Sequence, residues 1–228
     1  MTRCLETLKP FIDKTIIDLG KTEFRADPIG GNKYSRQTSI ISSAYKRHGK
    51  ILERALLEGL KEKNHIRVWN EPEFWVSADA ERMASPSKVS DCLKNQLVYG
   101  EKHKKTEIDI VVYDDTTKKI SAFEVKRGNG DFDRGKKDSL LSALLATHML
   151  LKSYCENAKN LEVSSYEVKI IFYYGVISLP KGLSLTRNDL DNYFGFPLVA
   201  AVESVNSYFQ DKLFELLETS NQSPNTAH

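Results

Sequence analysis

The sequence predicts an α/β fold in which a central mixed β-sheet is flanked by α-helices. Two strand-like runs, residues 107–113 and 120–126, surround the polar turn DDTTKK and predict a β-hairpin. A strongly apolar segment at 138–158 predicts a buried helix, and a further apolar strand follows at 166–177. A strand pair, a helix and another strand in this order are typical of one sheet covered by helices.

A long helix is predicted over residues 35–63, because apolar and small residues recur there at helical spacing. This stripe consists of Ile41, Ala44, Tyr45, His48, Leu52, Leu56, Gly59 and Leu60. A strand follows at 66–76, where Pro72 indicates an edge position or a bulge, because proline cannot donate a ladder hydrogen bond. The remaining predictions are a helix at 5–19, a polar turn at 26–35, a loop with a short helix near 88–98, a helix at 198–218 and a disordered tail at 220–228.

Length and composition are those of an ordinary soluble domain. The chain has 228 residues, of which 40% are hydrophobic and 28% are charged. We expect a single domain over 1–228, with a core at about 36–177 and helical additions at both ends. No apolar run approaches the roughly 18 residues of a membrane helix, and the N-terminal segment MTRCLETLKPFIDK lacks the features of a signal peptide. We therefore expect a cytoplasmic protein with no membrane partner.

The cysteine and histidine residues show no metal-binding pattern. Cys4, Cys92 and Cys155 are far apart and odd in number, which favours reduced, partly buried thiols over disulfides or structural zinc. The five histidines lack ligand spacing, and His148 lies within the buried helix, so we interpret it as a core residue. The sequence contains no serine-nucleophile elbow motif, which argues against a serine hydrolase.

The charges are unevenly distributed along the chain. Residues 31–70 contain nine Lys or Arg against three Glu, whereas residues 186–228 contain two basic residues against six acidic ones. A basic segment of this kind is compatible with a surface that faces phosphates, and equally with a solvated helix face.

Asp109, Glu124 and Lys126 interrupt the apolar strands of the hairpin. If Tyr113 pairs with Ile120 across the turn, the register places Asp109 opposite Glu124, with Cβ atoms about 4.5–5.5 Å apart. Burying two such carboxylates unpaired is costly, but a hard cation such as Mg²⁺ accepts carboxylate oxygens and keeps several waters. Side chains alternate along a strand, so Lys126 shares the face of Glu124. The alternative is a solvent-exposed face on which Glu124 and Lys126 pair with neighbours.

The hairpin resembles the PD-(D/E)XK nuclease superfamily, whose fold is that of restriction endonucleases. Ile108-Asp109 stands where the family often has Pro-Asp, and Glu124-Val125-Lys126 matches the (D/E)XK element 15 positions later. The element order over roughly residues 36–177 is also similar to the family core. The resemblance therefore implies a restriction endonuclease-like fold with an αβββαβ core.

The resemblance also implies a role for each residue of the motif. Asp109 and Glu124 would hold Mg²⁺, for which Mn²⁺ would substitute, and the backbone carbonyl of Val125 would join them. Lys126 would position or activate the attacking water and stabilise the pentavalent phosphate.

A further carboxylate ligand is offered by the helix before the sheet. Many family members place a Glu there, and Glu53 in the segment HGKILERALLEGL lies at the border of the apolar stripe. The alternative is an ion pair of Glu53 with Lys50 on a solvated surface. Glu107 shares the strand face of Asp109 and is a weaker alternative ligand.

The segment GDFDRGKK, residues 130–137, nearly matches the phosphate-binding loop GxxxxGK[ST]. Lys137 replaces the hydroxyl residue that would hold Mg²⁺, and Asp131 and Asp133 would place anions in an anion site. We therefore expect no nucleotide cofactor. Arg134, Lys136 and Lys137 are interpreted as contacts to nucleic acid, as support for the start of the buried helix, or as part of a solvated loop.

These features predict a Mg²⁺-dependent endonuclease that hydrolyses DNA phosphodiesters, and specifically a restriction-type, type II-like enzyme. Cutting both strands of a duplex needs two active sites, which a symmetric homodimer supplies. The alternatives are a repair, recombination or phage-defence nuclease of the same fold, and a nucleic-acid-binding module that does not cleave. The sequence leaves RNA open as a substrate.

Overall fold

The computed structural model describes residues 2–23, 25–26, 28–128, 133–175, 179–180 and 182–222. In chain order its elements are α1 (Arg3–Gly20), α2 (Gly31–Leu60), β1 (Ile66–Val76), α3 (Ala78–Met83), α4 (Val89–Cys92), β2 (Lys104–Asp114), β3 (Lys119–Lys126), α5 (Arg134–Lys159), β4 (Ser165–Phe172), β5 (Ser184–Thr186), α6 (Arg187–Phe194) and α7 (Leu198–Gln222). A short 3₁₀ turn at Pro86–Lys88 precedes α4. The chain divides into two compact units, residues 1–59 with 197–228 and residues 60–196.

The first unit is helical, and α1 packs against α7 within it. Thr2 caps α1 by accepting a hydrogen bond from the backbone N–H of Leu5 at 3.3 Å, and its hydroxyl lies 2.7 Å from that of Ser204. The Tyr208 hydroxyl donates to Asp13 at 2.6 Å. These contacts join the N-terminal helix to a helix nearly 200 residues later in the chain.

The second unit contains one five-stranded sheet in the order β1-β2-β3-β4-β5. β1, β2 and β3 are antiparallel neighbours, whereas β3, β4 and β5 run parallel. Parallel strands need a crossover connection, and α5 supplies it between β3 and β4. The prediction of an α/β protein with a mixed sheet and flanking helices is therefore confirmed.

The two faces of the sheet are covered by different helices of the second unit. Val111, Ile120 and Ala122 belong to a core cluster that includes the buried residues of α5. On the opposite face, Phe123 packs against Phe194 of α6, with ring centroids 5.5 Å apart. The alternation of side chains along each strand produces this division, and it leaves α5 beside the strand residues that carry the candidate site.

Several predicted boundaries differ from those of the structure. α2 begins four residues earlier than predicted and ends at Leu60 rather than residue 63. β4 ends at Phe172, because the N–H of Gly175 donates to the Phe172 carbonyl at 3.1 Å in a turn that Gly175 closes with φ +93°. The predicted strand residues 176–177 lie outside the described residues.

Other differences concern short elements and chain ends. α3, β5 and α6 were not predicted, and the predicted helix near 88–98 is confined to the 3₁₀ turn and α4. α7 extends to Gln222, so the predicted disordered tail is wrong for residues 220–222, while 223–228 lie outside the described residues. Tyr45, predicted to lie on the apolar stripe of α2, is 55% exposed.

The interpretations of Pro72, of the cysteines and of His148 are confirmed. β1 is an edge strand, and its register with β2 shifts on both sides of Glu71, next to Pro72. All three cysteines are free and buried. His148 is buried, and burial lowers its pKa, because an apolar environment disfavours the charged imidazolium.

None of the helices in the described part of the chain is long and apolar enough to span a membrane.

Candidate active site

β2 and β3 form the antiparallel hairpin that the sequence predicts. Tyr113 pairs with Ile120, and this register, continued towards the start of β2, places Asp109 opposite Glu124. Both carboxylate residues line one cleft of about 260 Å³. The predicted strand pairing is therefore confirmed, and both carboxylate residues belong to the lining of one cleft.

The cleft lies between the sheet and α5. Its apolar lining includes Ala122 and Ile170 from the strands and Leu140 and Leu144 from α5. Electrostatic interactions are stronger beside such apolar groups than in bulk water. Charges held in the cleft therefore act on a ligand more strongly than they would on an open surface.

Asp109 is held by the backbone of the neighbouring strand. The ladder between β2 and β3 ends at the pair Ile110 and Phe123. Beyond that pair, Asp109 Oδ2 accepts a hydrogen bond from the N–H of Val125 at 2.7 Å. A hydrogen bond to an ionised carboxylate is short and strong, so it fixes the orientation of this side chain at the cleft.

Glu124 and Lys126 are two residues apart on β3 and share a face. The ammonium of Lys126 donates a hydrogen bond to Glu124 Oε1. The side chains of Glu124 and Lys126 are 30% and 33% exposed, respectively. An incoming substrate can therefore reach both groups, while their mutual contact keeps the cation beside the cleft.

Gly128 fixes the path of the chain directly after Lys126. Its φ is +70°, and a Cβ at this position would lie 2.9 Å from Cβ of Phe172 and 3.1 Å from its Cα. A side chain here would clash with the β4 backbone, which cannot move without disturbing the sheet. Glycine thus allows β3 to leave the sheet close to β4 and keeps the end of β3 in place.

Glu53 lies on α2 in the first unit, whereas Asp109, Glu124, Val125 and Lys126 belong to the second. Its Oε2 is 2.6 Å from Nζ of Lys50. The Glu53 side chain is only 20% exposed, whereas that of Lys50 is 49% exposed. The pair that the sequence offered as the alternative is thus present, but its carboxylate is more buried than that of a solvated surface pair.

The donor set of the cleft fits a hard divalent cation. Mg²⁺ is usually bound through one or two carboxylates and completes its shell with water and phosphate oxygens. Asp109 and Glu124 supply two carboxylates at one cleft. Across the described residues, no three His, Cys, Asp or Glu side chains are grouped so as to hold a metal among themselves. An open site with two protein carboxylates would suit Mg²⁺ or Mn²⁺.

Three further polar residues line the cleft, namely Thr106, Glu107 and Thr147. Glu107 lies there together with Asp109, which places the weaker alternative ligand at the same site. Thr147 of α5 also lines it, and its hydroxyl donates to the Ala143 carbonyl at 3.0 Å. Thr147 was not among the predicted site residues, although a threonine within the apolar run LLATHMLL is a visible break in the pattern.

The basic residues of the segment GDFDRGKK lie in the first turn of α5. Asp133 caps α5 by accepting a hydrogen bond from the N–H of Lys136 at 2.9 Å. The Arg134 side chain is 95% exposed, and its Nε lies 3.8 Å from Oδ2 of Asp138. Of the segment GDFDRGKK, residues 130–132 lie outside the described residues. Arg134 and Lys136 are thus exposed cations at a helix start, in accordance with a contact to nucleic acid or with a solvated surface.

The chain was compared with protein-family models, with curated proteins and with solved structures, and none of the three comparisons returned a match.

Proposed function

We propose that the protein is a Mg²⁺-dependent endonuclease of the PD-(D/E)XK superfamily that hydrolyses DNA phosphodiester bonds. The observation that carries the proposal is the cleft at which Asp109 and Glu124 meet across antiparallel strands, with the ammonium of Lys126 on Glu124. The chain order of α2, β1, β2, β3, α5 and β4, with the short helices α3 and α4 between β1 and β2, supports it, because the resemblance implies the order αβββαβ.

Each residue has a distinct task in this proposal. Asp109 and Glu124, with the carbonyl of Val125, would hold the metal ion. Bound Mg²⁺ supplies Lewis acidity, which polarises a phosphate and lowers the pKa of a bound water. Lys126 places a positive charge beside the cleft, where it stabilises charge that develops on the phosphate. The role of Glu53 as a further metal ligand stays a prediction from the sequence.

A restriction-type enzyme is the form of this activity that we favour, with a homodimer to cut both strands. A repair, recombination or phage-defence nuclease would use the same residues. A binding module that does not cleave is the alternative of a different class. The presence of Asp109, Glu124 and Lys126 together favours cleavage, because binding alone requires no pair of carboxylates beside a phosphate.

Plasmid cleavage by the full chain, with Mg²⁺ or with EDTA, tests the proposal. We expect cutting by the wild type only with Mg²⁺ or Mn²⁺. Asp109→Asn and Glu124→Gln should each lower the initial rate at least about 1,000-fold, because metal-ion catalysis contributes several kcal/mol and each 1.4 kcal/mol is a tenfold change. DNA affinity without metal should be kept or increased, because each substitution removes an anion that repels phosphate.

A matched control separates the loss of the site from the loss of any carboxylate. Glu73 is an exposed residue of β1 that pairs with Lys105 and does not line the cleft. Glu73→Gln should cut at the wild-type rate. Cleavage at the wild-type rate by either Asp109→Asn or Glu124→Gln would overturn the proposed site.

A further inference from the structure

The parallel strands β3, β4 and β5 end at one edge of the sheet, and a second cleft lies there. Parallel strands have their carboxyl ends at the same edge, which is where open α/β sheets commonly bind ligands. β3 ends at Lys126 and is followed by Arg127, Tyr173 and Tyr174 follow β4, and Arg187 follows β5. This edge therefore brings two arginines and two tyrosines next to the lysine of the candidate site.

The second cleft has a volume of about 300 Å³ and contains both aromatic and cationic groups. It is lined by Tyr173, Tyr174, Gly175, Thr186, Arg187 and Asn188. Such a volume is at the lower end of the range for small-molecule sites, roughly 300–1,000 Å³. A single nucleobase is of this size class, whereas a larger cofactor is not.

Tyr174 presents an aromatic surface that the fold holds in place. The residue is 41% exposed, whereas a tyrosine in a protein core is covered by its neighbours. The Tyr173 ring stands edge-on to it at 5.3 Å and 89°, and the Arg127 guanidinium lies 5.8 Å from its centroid. The backbone N–H of Tyr174 donates a hydrogen bond to the Arg127 carbonyl at 2.7 Å. The aromatic ring is thus positioned by the strand ends before any ligand binds.

An exposed, positioned aromatic ring beside arginines suits an unstacked base and its phosphates. Bases stack on aromatic side chains without regard to sequence, because every base has a π-face, and arginines neutralise the adjoining backbone. Arg187 and Asn188 line the same cleft and are both exposed, at the start of α6. A base inside an intact duplex cannot offer its face to a side chain.

We propose that this cleft binds an unpaired nucleotide close to the scissile phosphate, and that Tyr174 stacks on its base. This inference rests on the proposed function and adds a class of substrate to duplex DNA, namely DNA with at least one unstacked nucleotide. Lys126 pairs with Phe172, and the Lys126 carbonyl accepts a hydrogen bond from the N–H of Tyr173 at 3.0 Å, so the second cleft begins beside the lysine of the candidate site.

Binding of labelled oligonucleotides by the full chain tests the inference. The Glu124→Gln variant in EDTA serves as the parent protein, so that no cleavage occurs during the measurement. Fluorescence anisotropy would compare a single-stranded oligonucleotide with the fully paired duplex of the same sequence. Adding Tyr174→Ala should weaken single-strand binding by about fivefold to about 100-fold, the range expected when one base no longer stacks on an aromatic ring. Duplex binding should change by less than about threefold, because a paired base does not reach the ring.

Conservative and distant substitutions control for the aromatic surface. Tyr174→Phe and Tyr174→Trp keep a π-face and should bind the single strand within about threefold of the parent. Phe214 on α7 is a similarly exposed aromatic residue at 51%, and Phe214→Ala should have no effect on either affinity. Circular dichroism should show that Tyr174→Ala is folded, with a melting temperature close to that of the parent, because the ring is partly exposed.

Selective loss of single-strand affinity, with rescue by Phe and Trp, would support the inference. An unchanged affinity for Tyr174→Ala, an equal loss for single strand and duplex, or an equal loss for Phe214→Ala would overturn it. These readouts require no metal and no cleavage. If Tyr174→Ala binds the single strand as the parent does, while plasmid cutting still depends on Asp109, only the inference about the second cleft is wrong. If selective binding holds while the wild type never cuts, the proposed function is wrong.

Discussion

Two groups of carboxylates lie on the same sheet, yet their surroundings differ. Glu167 on β4 receives hydrogen bonds from Lys119, from the Tyr193 hydroxyl at 2.5 Å and from Lys169 at 3.1 Å. Burial alone would raise the pKa of Glu167, but these partners more than offset it and lower the pKa to about 2. In the candidate site, by contrast, Glu124 contacts one cation, Lys126, and faces a second carboxylate across a cleft.

This contrast distinguishes a structural charge from a reactive one. The negative charge of Glu167 is neutralised by two lysines of its own chain, so Glu167 would gain little from binding a metal cation. Asp109 and Glu124 place two anions at one cleft with Lys126 beside them, an arrangement that gains from a divalent cation. Glu71 belongs to the first kind, because it is buried in the β1 bulge with the Tyr154 hydroxyl and with Lys159 at 2.9 Å.

We expect the largest change in cleavage rate when Lys126 is substituted, and no such change when a lysine beside Glu167 is substituted. Lys126→Ala removes no metal-binding oxygen, so Mg²⁺ or Mn²⁺ affinity should stay nearly unchanged. The single-turnover rate should fall about 100-fold to 1,000-fold, because a cation directed at developing charge acts in the transition state. Lys126→Arg should rescue poorly, because a planar guanidinium has a different reach and does not deprotonate.

Lys119→Ala is the matched control for this prediction. Lys119 contacts Glu167 rather than the cleft carboxylates, so its loss should reduce stability and leave the rate per folded molecule unchanged. Rates within a few-fold of wild type for both Lys126 variants would contradict the assigned role.

The middle effect concerns the stability that Glu167 provides. Its folded-state pKa is about 2, below the ordinary value of 4.5. A depressed carboxylate pKa stabilises the folded state fully above the unfolded pKa, and this stability is lost as the pH falls through the folded pKa. Glu167→Gln should therefore lower the free energy of unfolding by about 2 kcal/mol at neutral pH. The deficit relative to wild type should shrink as the pH falls from 4.5 towards 2.

Urea unfolding of wild type and Glu167→Gln at neutral pH and near pH 3 measures this dependence. Catalysis per folded molecule should be unaffected, in contrast to Glu124→Gln. A stability deficit that is independent of pH would show that Glu167 acts through shape rather than charge.

We expect the smallest change for Glu53→Gln. Its result shows whether Glu53 acts with the carboxylates of the candidate site or, like Glu167, only in a structural ion pair. If Glu53 is a metal ligand, Glu53→Gln should reduce cleavage or metal affinity with little loss of DNA binding. If it acts only as a surface partner of Lys50, the pair contributes about 0.3–0.5 kcal/mol and activity stays unchanged.

The lysines of α2 supply the companion measurement. Lys46 and Lys50 are exposed. If each of them binds a DNA phosphate, Lys46→Ala and Lys50→Ala should each lower the slope of log affinity against log salt by about 0.9. An unchanged slope for both variants, together with full activity of Glu53→Gln, would leave α2 a structural helix only.

The local part of the candidate site was predictable from the sequence. The strand period of two, the turn DDTTKK and the alternating apolar residues fix the register, which is why Asp109 and Glu124 could be placed opposite each other from local pattern alone. α6 carries a detectable signal as well, because Thr186 and Asp189 form a capping box of the [ST]-x-x-[DE] type. β5 has only three residues, too few for an alternation pattern to be recognised.

The α/β class, the hairpin register and the shared strand face of Glu124 and Lys126 follow from the sequence, because each depends on neighbours a few residues apart. Three other features appear only in the folded chain: α5 closes a cleft beside the two carboxylate residues, Gly128 passes close to the β4 backbone, and Glu167 meets Lys119 of the neighbouring strand. These relations join residues tens of positions apart, and long-range packing, rather than local periodicity, selects them.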